Sequence, residues 1–307
     1  MGQGREALEH LPVLVEEVAF LMRPRRGGWV VDATAGVGGH AERLLESGSP
    51  TARLLGIDAD TETLARARTR LDRFGDRVVL IRGNFRRLGV LAREAGVSQA
   101  EAVLLDLGMS SSQLESSGRG FSFLRDEPLD MRFDPFKGPT AAELLGTLPE
   151  DELVRILSEY GGEPHARRIA RVLVARRTKA ALTTTAELVD VLKVALPRRA
   201  WPRRSHLATR TFQALRMAVN EELEALREAC PQAAELLGSG GRLGVISYHS
   251  GEDRVVKRAF KALAAGLYVE LAGCPITPSR DEVRVNRRAR SAKLRLLERI
   301  EADHVAA

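Results

Sequence analysis

The sequence predicts an α/β protein, a doubly wound parallel sheet interrupted by an inserted all-helical domain. Three observations predict it. Residues 29–45, WVVDATAGVGGHAERLL, run from apolar strand through glycine turn to helix. Short apolar runs then alternate with helical periods as far as residue 106, the rhythm of a parallel sheet. From residue 140 to residue 194 the periodicity is helical without interruption.

Residues 10–22, HLPVLVEEVAFLM, carry apolar positions at helical spacing, with Pro12 suited to a first turn. Val30 and Val31 form the first strand, which breaks at Asp32, and the helix from His40 turns Ala41, Leu44 and Leu45 to one face. Residues 53–57 form a second strand ending at Asp58, and residues 61–74 a second helix capped by Asp60 or Thr61. Residues 78–81 form the third strand, followed by Gly83, Asn84 and Phe85, and residues 102–105 the fourth, ending in Asp106. Four helical stretches lie between 140 and 194, the last opened by a threonine cap. Residues 209–237 read as a long helix or a kinked pair closed by Gly238-Ser-Gly-Gly, and residues 242–248 return the chain to the sheet. His249 is either a general base or a structural hydrogen-bonder ahead of a helix at 254–263. The tail at 283–295 is either a nucleic-acid-facing segment or a final strand with a polar flank.

At 307 residues, with 44% hydrophobic and 29% charged positions, the chain is long enough for two domains and rules out wholesale disorder. It has no run of eighteen apolar residues and no leader pattern, so a cytoplasmic protein without membrane attachment is expected. Cys230 and Cys274 lack metal-site spacing, which leaves no support for a zinc site or disulfide framework. A net charge of +6 favours a polyanionic partner, and its distribution is uneven. Residues 113–164 hold five basic against eleven acidic side chains, whereas 165–208 hold eleven against two. The basic stretch includes Arg167, Arg168 and Arg171 on one helix, then Arg203 and Arg204 beside Trp201. Such an excess exceeds what a solvated helix face needs and points to phosphate binding. Upstream, Arg119, Phe121, Phe123 and Phe133 belong to a loop suited either to contact a base and its phosphates or to plug a core.

The glycine turn is a cofactor cradle in outline. Gly36, Gly38 and Gly39 let a ligand lie against the backbone, and the start of the following helix aims N–H groups at it. Gly36-x-Gly38-x-x-Ala41 also satisfies the loose dinucleotide fingerprint. Asp32, however, sits where a carboxylate repels pyrophosphate and attracts an ammonium group such as the methionine end of S-adenosylmethionine. Asp58 is placed to accept both ribose hydroxyls of either cofactor, and Phe85 to pack on an adenine ring.

The segments HLPVLVEEV, VDATAGVGGH, LLGIDAD, GNF, LLDLGMSSSQL, RGFSF with PLDMR, TRTFQALRMAVNEEL, ISYHSGEDRVVK and NRRARSAKLR follow one another between residues 10 and 295. Together they resemble the MraW/RsmH family, bacterial S-adenosylmethionine-dependent methyltransferases that modify N4 of a cytidine in the decoding region of 16S ribosomal RNA. The resemblance implies a Rossmann-like class I methyltransferase sheet built from residues 1–112 and 209–307, with an RNA-recognition helical domain at 113–208. It implies cofactor contacts at Gly38, Gly39, His40, Asp58, Phe85, Asp106 and Gln113. The substrate it implies is 16S ribosomal RNA, expected within the 30S subunit though naked RNA stays open, and the oligomeric state, monomer or homodimer, is left open as well. Ala35 and Val37 vary the family's glycine loop but leave the backbone cradle intact. Gly251 and Arg287 stand where leucine and proline are usual.

An exocyclic cytosine amine is a poor nucleophile, because its lone pair is conjugated into the ring. Methylation therefore needs the amine held in line and an acceptor for its proton. Asp106, directly or through neighbouring backbone carbonyls or the hydroxyls of Ser110 and Ser111, is expected either to orient the amine or to bind only the cofactor, and Phe121, Phe123 and Phe133 are the candidate stacking partners of a base drawn out of its helix. Two other classes compete: an NAD(P)-dependent oxidoreductase, which leaves the basic stretch without purpose, and a non-enzymatic RNA-binding protein, which has no use for the cradle.

Overall fold

The computed structural model describes residues 12–109, 118–202 and 205–301. The chain forms two compact units, residues 1–110 with 223–307 and residues 111–222. The first half of the chain supplies α1 (Val15–Met22), β1 (Trp29–Asp32), α2 (Gly39–Ser47), β2 (Arg53–Asp58), α3 (Thr61–Leu71), β3 (Val78–Arg82), α4 (Leu88–Glu94) and β4 (Ala100–Asp106). The helical unit contributes α5 (Ala141–Thr147), α6 (Glu150–Glu159), α7 (Ala166–Arg177), α8 (Thr185–Ala195) and α9 (Thr209–Val219). After it come α10 (Glu222–Glu235), β5 (Leu237–Ser247), α11 (Ser250–Leu263), β6 (Tyr268–Glu270), α12 (Arg280–Val285) and β7 (Lys293–Arg299).

The seven strands form one sheet in the order β3-β2-β1-β4-β5-β7-β6. The pairs from β3 across to β5 are parallel, and β7 is antiparallel to both β5 and β6. Successive strands step one way from β1 to β3 and the other way from β4 onward, so the winding reverses between β1 and β4. That is where an open α/β sheet leaves a crevice beyond its carboxyl edge. The register shapes this crevice. Asp32 is level with Gly56 on β2 and Leu104 on β4. Asp58 and Asp106 therefore each stand two residues higher, on either side of the shorter β1. The core beneath is formed by fully buried Val30, Leu54 and Leu104 from the strands, with Val18, Met22, Leu44 and Leu71 from the helices.

Most expected elements appear, with three differences of consequence. The glycine run 238–241 does not end a helix outside the sheet. It is an irregularity within β5, which pairs Leu237 with Ala100 and then resumes with Arg242 opposite Ala102. The helical stretch after residue 208 divides at Asn220 and Glu221, the latter in a left-handed conformation at φ 48°. Its first half, α9, belongs to the helical unit, so the division falls between 222 and 223 and not between 208 and 209. Helix α4 carries no strong pattern in the sequence and packs by Leu88, Leu91 and Ala92.

In the helical unit the caps follow the sequence. Thr140 with Glu143 and Thr184 with Glu187 form capping boxes that open α5 and α8. The loop before α5 is tied to helices far along the chain. The Asn220 side chain accepts from Phe133 N at 2.8 Å and donates to Met131 O at 2.8 Å and Arg216 O at 2.9 Å. Buried Thr185 donates to Arg125 O at 2.6 Å and accepts from Glu127 N at 3.0 Å. These bonds hold Met131 at φ 61°, a conformation that a non-glycine residue adopts only when its surroundings impose it. Among the described residues no helix is long and apolar enough to cross a membrane. Asn220→Ala should lower unfolding stability by about 1–3 kcal/mol, the cost of leaving buried backbone groups unpaired, measurable by urea titration.

Candidate cofactor and catalytic site

The site is built on the turn after β1. Ala33 N donates to Leu104 O on β4 at 2.9 Å and Ala35 N to Ile57 O on β2 at 2.8 Å, so the turn is stitched to both neighbouring strands. Gly38, at φ 84°, then caps α2 without any side-chain hydrogen bond to the helix's first N–H groups. Those donors are unspent by any capping side chain and gather at the positive end of the helix dipole. Gly39 is small for a packing reason as well, because a Cβ there would come within 2.8 Å of Pro12 Cγ.

Asp58 accepts from Gly36 N at 2.9 Å through one oxygen and from Asp60 N at 2.9 Å through the other. A carboxylate offers about four acceptor positions, so lone pairs remain for a pair of hydroxyls. Burial pushes the Asp58 carboxyl up to about 6, with these backbone donors acting in the opposite direction. Phe85, half-buried beyond β3, follows Asn84, whose side chain accepts from Arg86 N at 2.9 Å and fixes the turn.

Asp32 departs from expectation. It is 1% exposed, and Oδ1 accepts from Thr34 N at 3.2 Å. A carboxylate so enclosed has no open face for a ligand's ammonium group, so the direct clamp expected of it is absent from this structure. Burial pushes its carboxyl up to about 7, partly offset by the nearby His40 ring and the Thr34 N–H.

The more reachable acid is Asp106, with 18% of its side chain exposed. Its backbone N donates to Thr34 Oγ1 at 2.6 Å. Its Oδ1 accepts from the Tyr248 hydroxyl at 2.7 Å, and its Oδ2 lies 3.3 Å from His40 Nε2. His40 is only 6% exposed, and its Nδ1 has no hydrogen-bond partner among the described residues. A buried nitrogen left unpaired is costly, and a polar ligand in the crevice would satisfy it. Tyr248 was invisible in the sequence because it lies 142 positions from the acid it touches. His249, in contrast, is structural. Its Nδ1 accepts from Gly251 N at 3.1 Å and Glu252 N at 3.2 Å, forming the cap of α11.

The predicted nucleic-acid residues divide into two groups. Arg167, Arg168 and Arg171 are exposed on α7, with Ile169, Ala170 and Leu173 buried on its other side. Trp201 is half-buried and donates from Nε1 to Leu196 O at 3.1 Å. Phe121, however, is 4% exposed and stacked on Phe133 at 5.6 Å, while Arg119 donates to Arg132 O and Phe133 O. These three plug and close their own loop, so the base-stacking role expected of Phe121 and Phe133 and the phosphate contact expected of Arg119 do not fit this conformation. Phe123 is half-buried, stacked on His206 at 4.4 Å. In the tail, Lys293 and Arg295 pair with Asp253 at 2.9 and 2.8 Å, which makes them part of the sheet's flank. Gln113, Arg203, Arg204, Ser110 and Ser111 lie outside the described residues.

The raised Asp32 value has a defined consequence for stability. Its folded value of about 7 exceeds the ordinary 3.8, so its burial is harmless below pH 4 and destabilises progressively as pH rises through 7. Asp32→Asn should therefore gain less over the unaltered, ligand-free chain at pH 5 than at pH 8. At pH 8 it should be more stable than the unaltered chain, by on the order of 2–4 kcal/mol, as thermal melts at the two pH values would show.

The profile of the MraW methylase family matches residues 7–300. Ribosomal RNA small subunit methyltransferase H of Geobacter sp. (strain M21) is 48% identical over 96% of this chain and 100% of its own length. The protein of the same name from Citrifermentans bemidjiense is 47% identical over 96% and 100%. That from Heliobacterium mobile is 45% identical over 95% and 99%. A family match across nearly the whole chain, with relatives this similar end to end, means that the chain belongs to the MraW methylase family.

Proposed function

We propose that the chain transfers a methyl group from S-adenosylmethionine to N4 of a cytidine in the decoding region of 16S ribosomal RNA, with the 30S subunit as its substrate. The observation that carries this reading is the crevice over β1, floored by Asp32 and flanked by Asp58 and Asp106. Membership of a methylase family removes the oxidoreductase and the non-enzymatic RNA-binding protein as competing readings. The names of the relatives support ribosomal RNA of the small subunit as the substrate class.

The residues fit the cofactor. Asp58 has lone pairs for ribose hydroxyls, Phe85 offers a ring face for adenine, and the uncapped start of α2 with the unpaired His40 Nδ1 offers polar contacts. When bound, the cofactor supplies an electrophilic methyl group on a sulfonium. Asp106 would accept a hydrogen bond from the target amine, drawing its lone pair out of conjugation and giving its proton a destination. The low-dielectric wall of the crevice strengthens that interaction relative to water. Exposed Arg167, Arg168 and Arg171 would hold phosphates and set affinity without reading sequence.

Two measurements test this reading. Mass spectrometry of 16S rRNA digests should show a cytidine one methyl lighter in cells lacking the protein and restored on complementation; an unchanged digest would refute it. Replacing Arg167, Arg168 and Arg171 together with alanine should flatten the plot of log affinity for the RNA against log salt by roughly 2–3. The same variant should bind S-adenosylmethionine normally in equilibrium dialysis.

A further inference from the structure

The Asp106 carboxylate accepts a hydrogen bond from a side chain that has no role so far. Tyr248 donates to Oδ1 at 2.7 Å from the first turn beyond β5. Its own position is fixed three times. Its backbone N donates to Glu252 Oε2 at 2.7 Å, and Glu252 is 2% exposed. Glu252 is in turn held by the cap that it forms with His249 at the start of α11. The Tyr248 ring lies against the Gly108 backbone, where a Cβ would stand 3.4 Å from ring atom Cδ2, and packs on the main core cluster. A side chain with so little freedom presents its hydroxyl without reorganisation.

We propose that Tyr248 is a positioning residue for methyl transfer, its hydroxyl fixing the Asp106 carboxylate so that the acceptor amine meets a preset oxygen. The inference rests on the reading of Asp106 given above. One carboxylate oxygen is committed to the phenol, so the remaining lone pairs, on the His40 side, face the crevice in a defined direction. A carboxylate free to rotate about its Cβ–Cγ bond would offer the amine a range of geometries, most of them out of line. Burial, with the neighbouring Asp106 charge, also holds the Tyr248 phenol well above its ordinary value. The hydroxyl therefore stays a donor and does not compete for the amine proton.

The test is a double-mutant cycle on methylation of 30S subunits, comparing Tyr248→Phe, Asp106→Ala and the double variant. Phenylalanine keeps the ring on Gly108 and removes only the hydroxyl. Tyr248→Phe should lower kcat by roughly ten- to a hundredfold, the worth of one hydrogen bond to a charged group, with KM for RNA and melting temperature unchanged. In the Asp106→Ala background the same change should have no further effect. Full turnover in Tyr248→Phe would overturn the proposal. So would a loss that persists undiminished beside Asp106→Ala, or one accompanied by an equal loss of stability. The functional reading is judged separately by the unaltered chain: no methylation of 30S subunits sinks that reading, whatever the variants do.

Discussion

Three carboxylates gathered over one short strand repel one another, and the sheet has to hold them there. Asp32 lies under the turn, Asp58 and Asp106 rise on either side, and backbone N–H groups, a nearby histidine and a tyrosine hydroxyl offset their mutual repulsion. Burial has raised Asp32 and Asp58 well above the usual carboxylate range, which is the sign of an arrangement kept at a cost to stability. A cationic ligand entering such a crevice relieves that cost. Ligand affinity and the instability of the carboxylate cluster are then two aspects of one electrostatic fact.

How much of this can be read from the sequence depends on the range of the interactions. The glycine turn, the strand-ending acids and the threonine caps are local. A change of period or a capping pair reports them within a few residues, and Asp60 and Thr184 appear in their expected roles. The height of Asp58 and Asp106 above Asp32 comes from strand register, which no local pattern encodes. Tyr248 is hidden for the same reason. Phe121 shows the opposite difficulty. An aromatic residue among arginines has one appearance whether it awaits a base or fills a core, and only its 4% exposure distinguishes the two.

The segments that carry the family resemblance are also those that hold one another in place. The loop motifs around Arg119 and Met131 are fastened by Asn220, which belongs to the motif that spans α9. The motif at the end of β5 fixes Tyr248 and the cap of α11, and through them Asp106 in the motif that ends β4. Residues spaced widely along the chain thus act as single hydrogen-bonded units, and a change in one is felt by its distant partner.

The division of the sheet by the helical unit has a consequence during synthesis. β4 emerges with β1 on one flank, but its other neighbour, β5, follows only after the entire helical unit. At typical ribosomal speeds that interval lasts on the order of 10 s, during which an apolar central strand presents an open edge. A helical unit whose contacts are largely its own can condense in that interval. The nascent chain would then wait with one unit finished and one edge bare, and its yield in the cell would depend on how well that edge is shielded until β5 arrives.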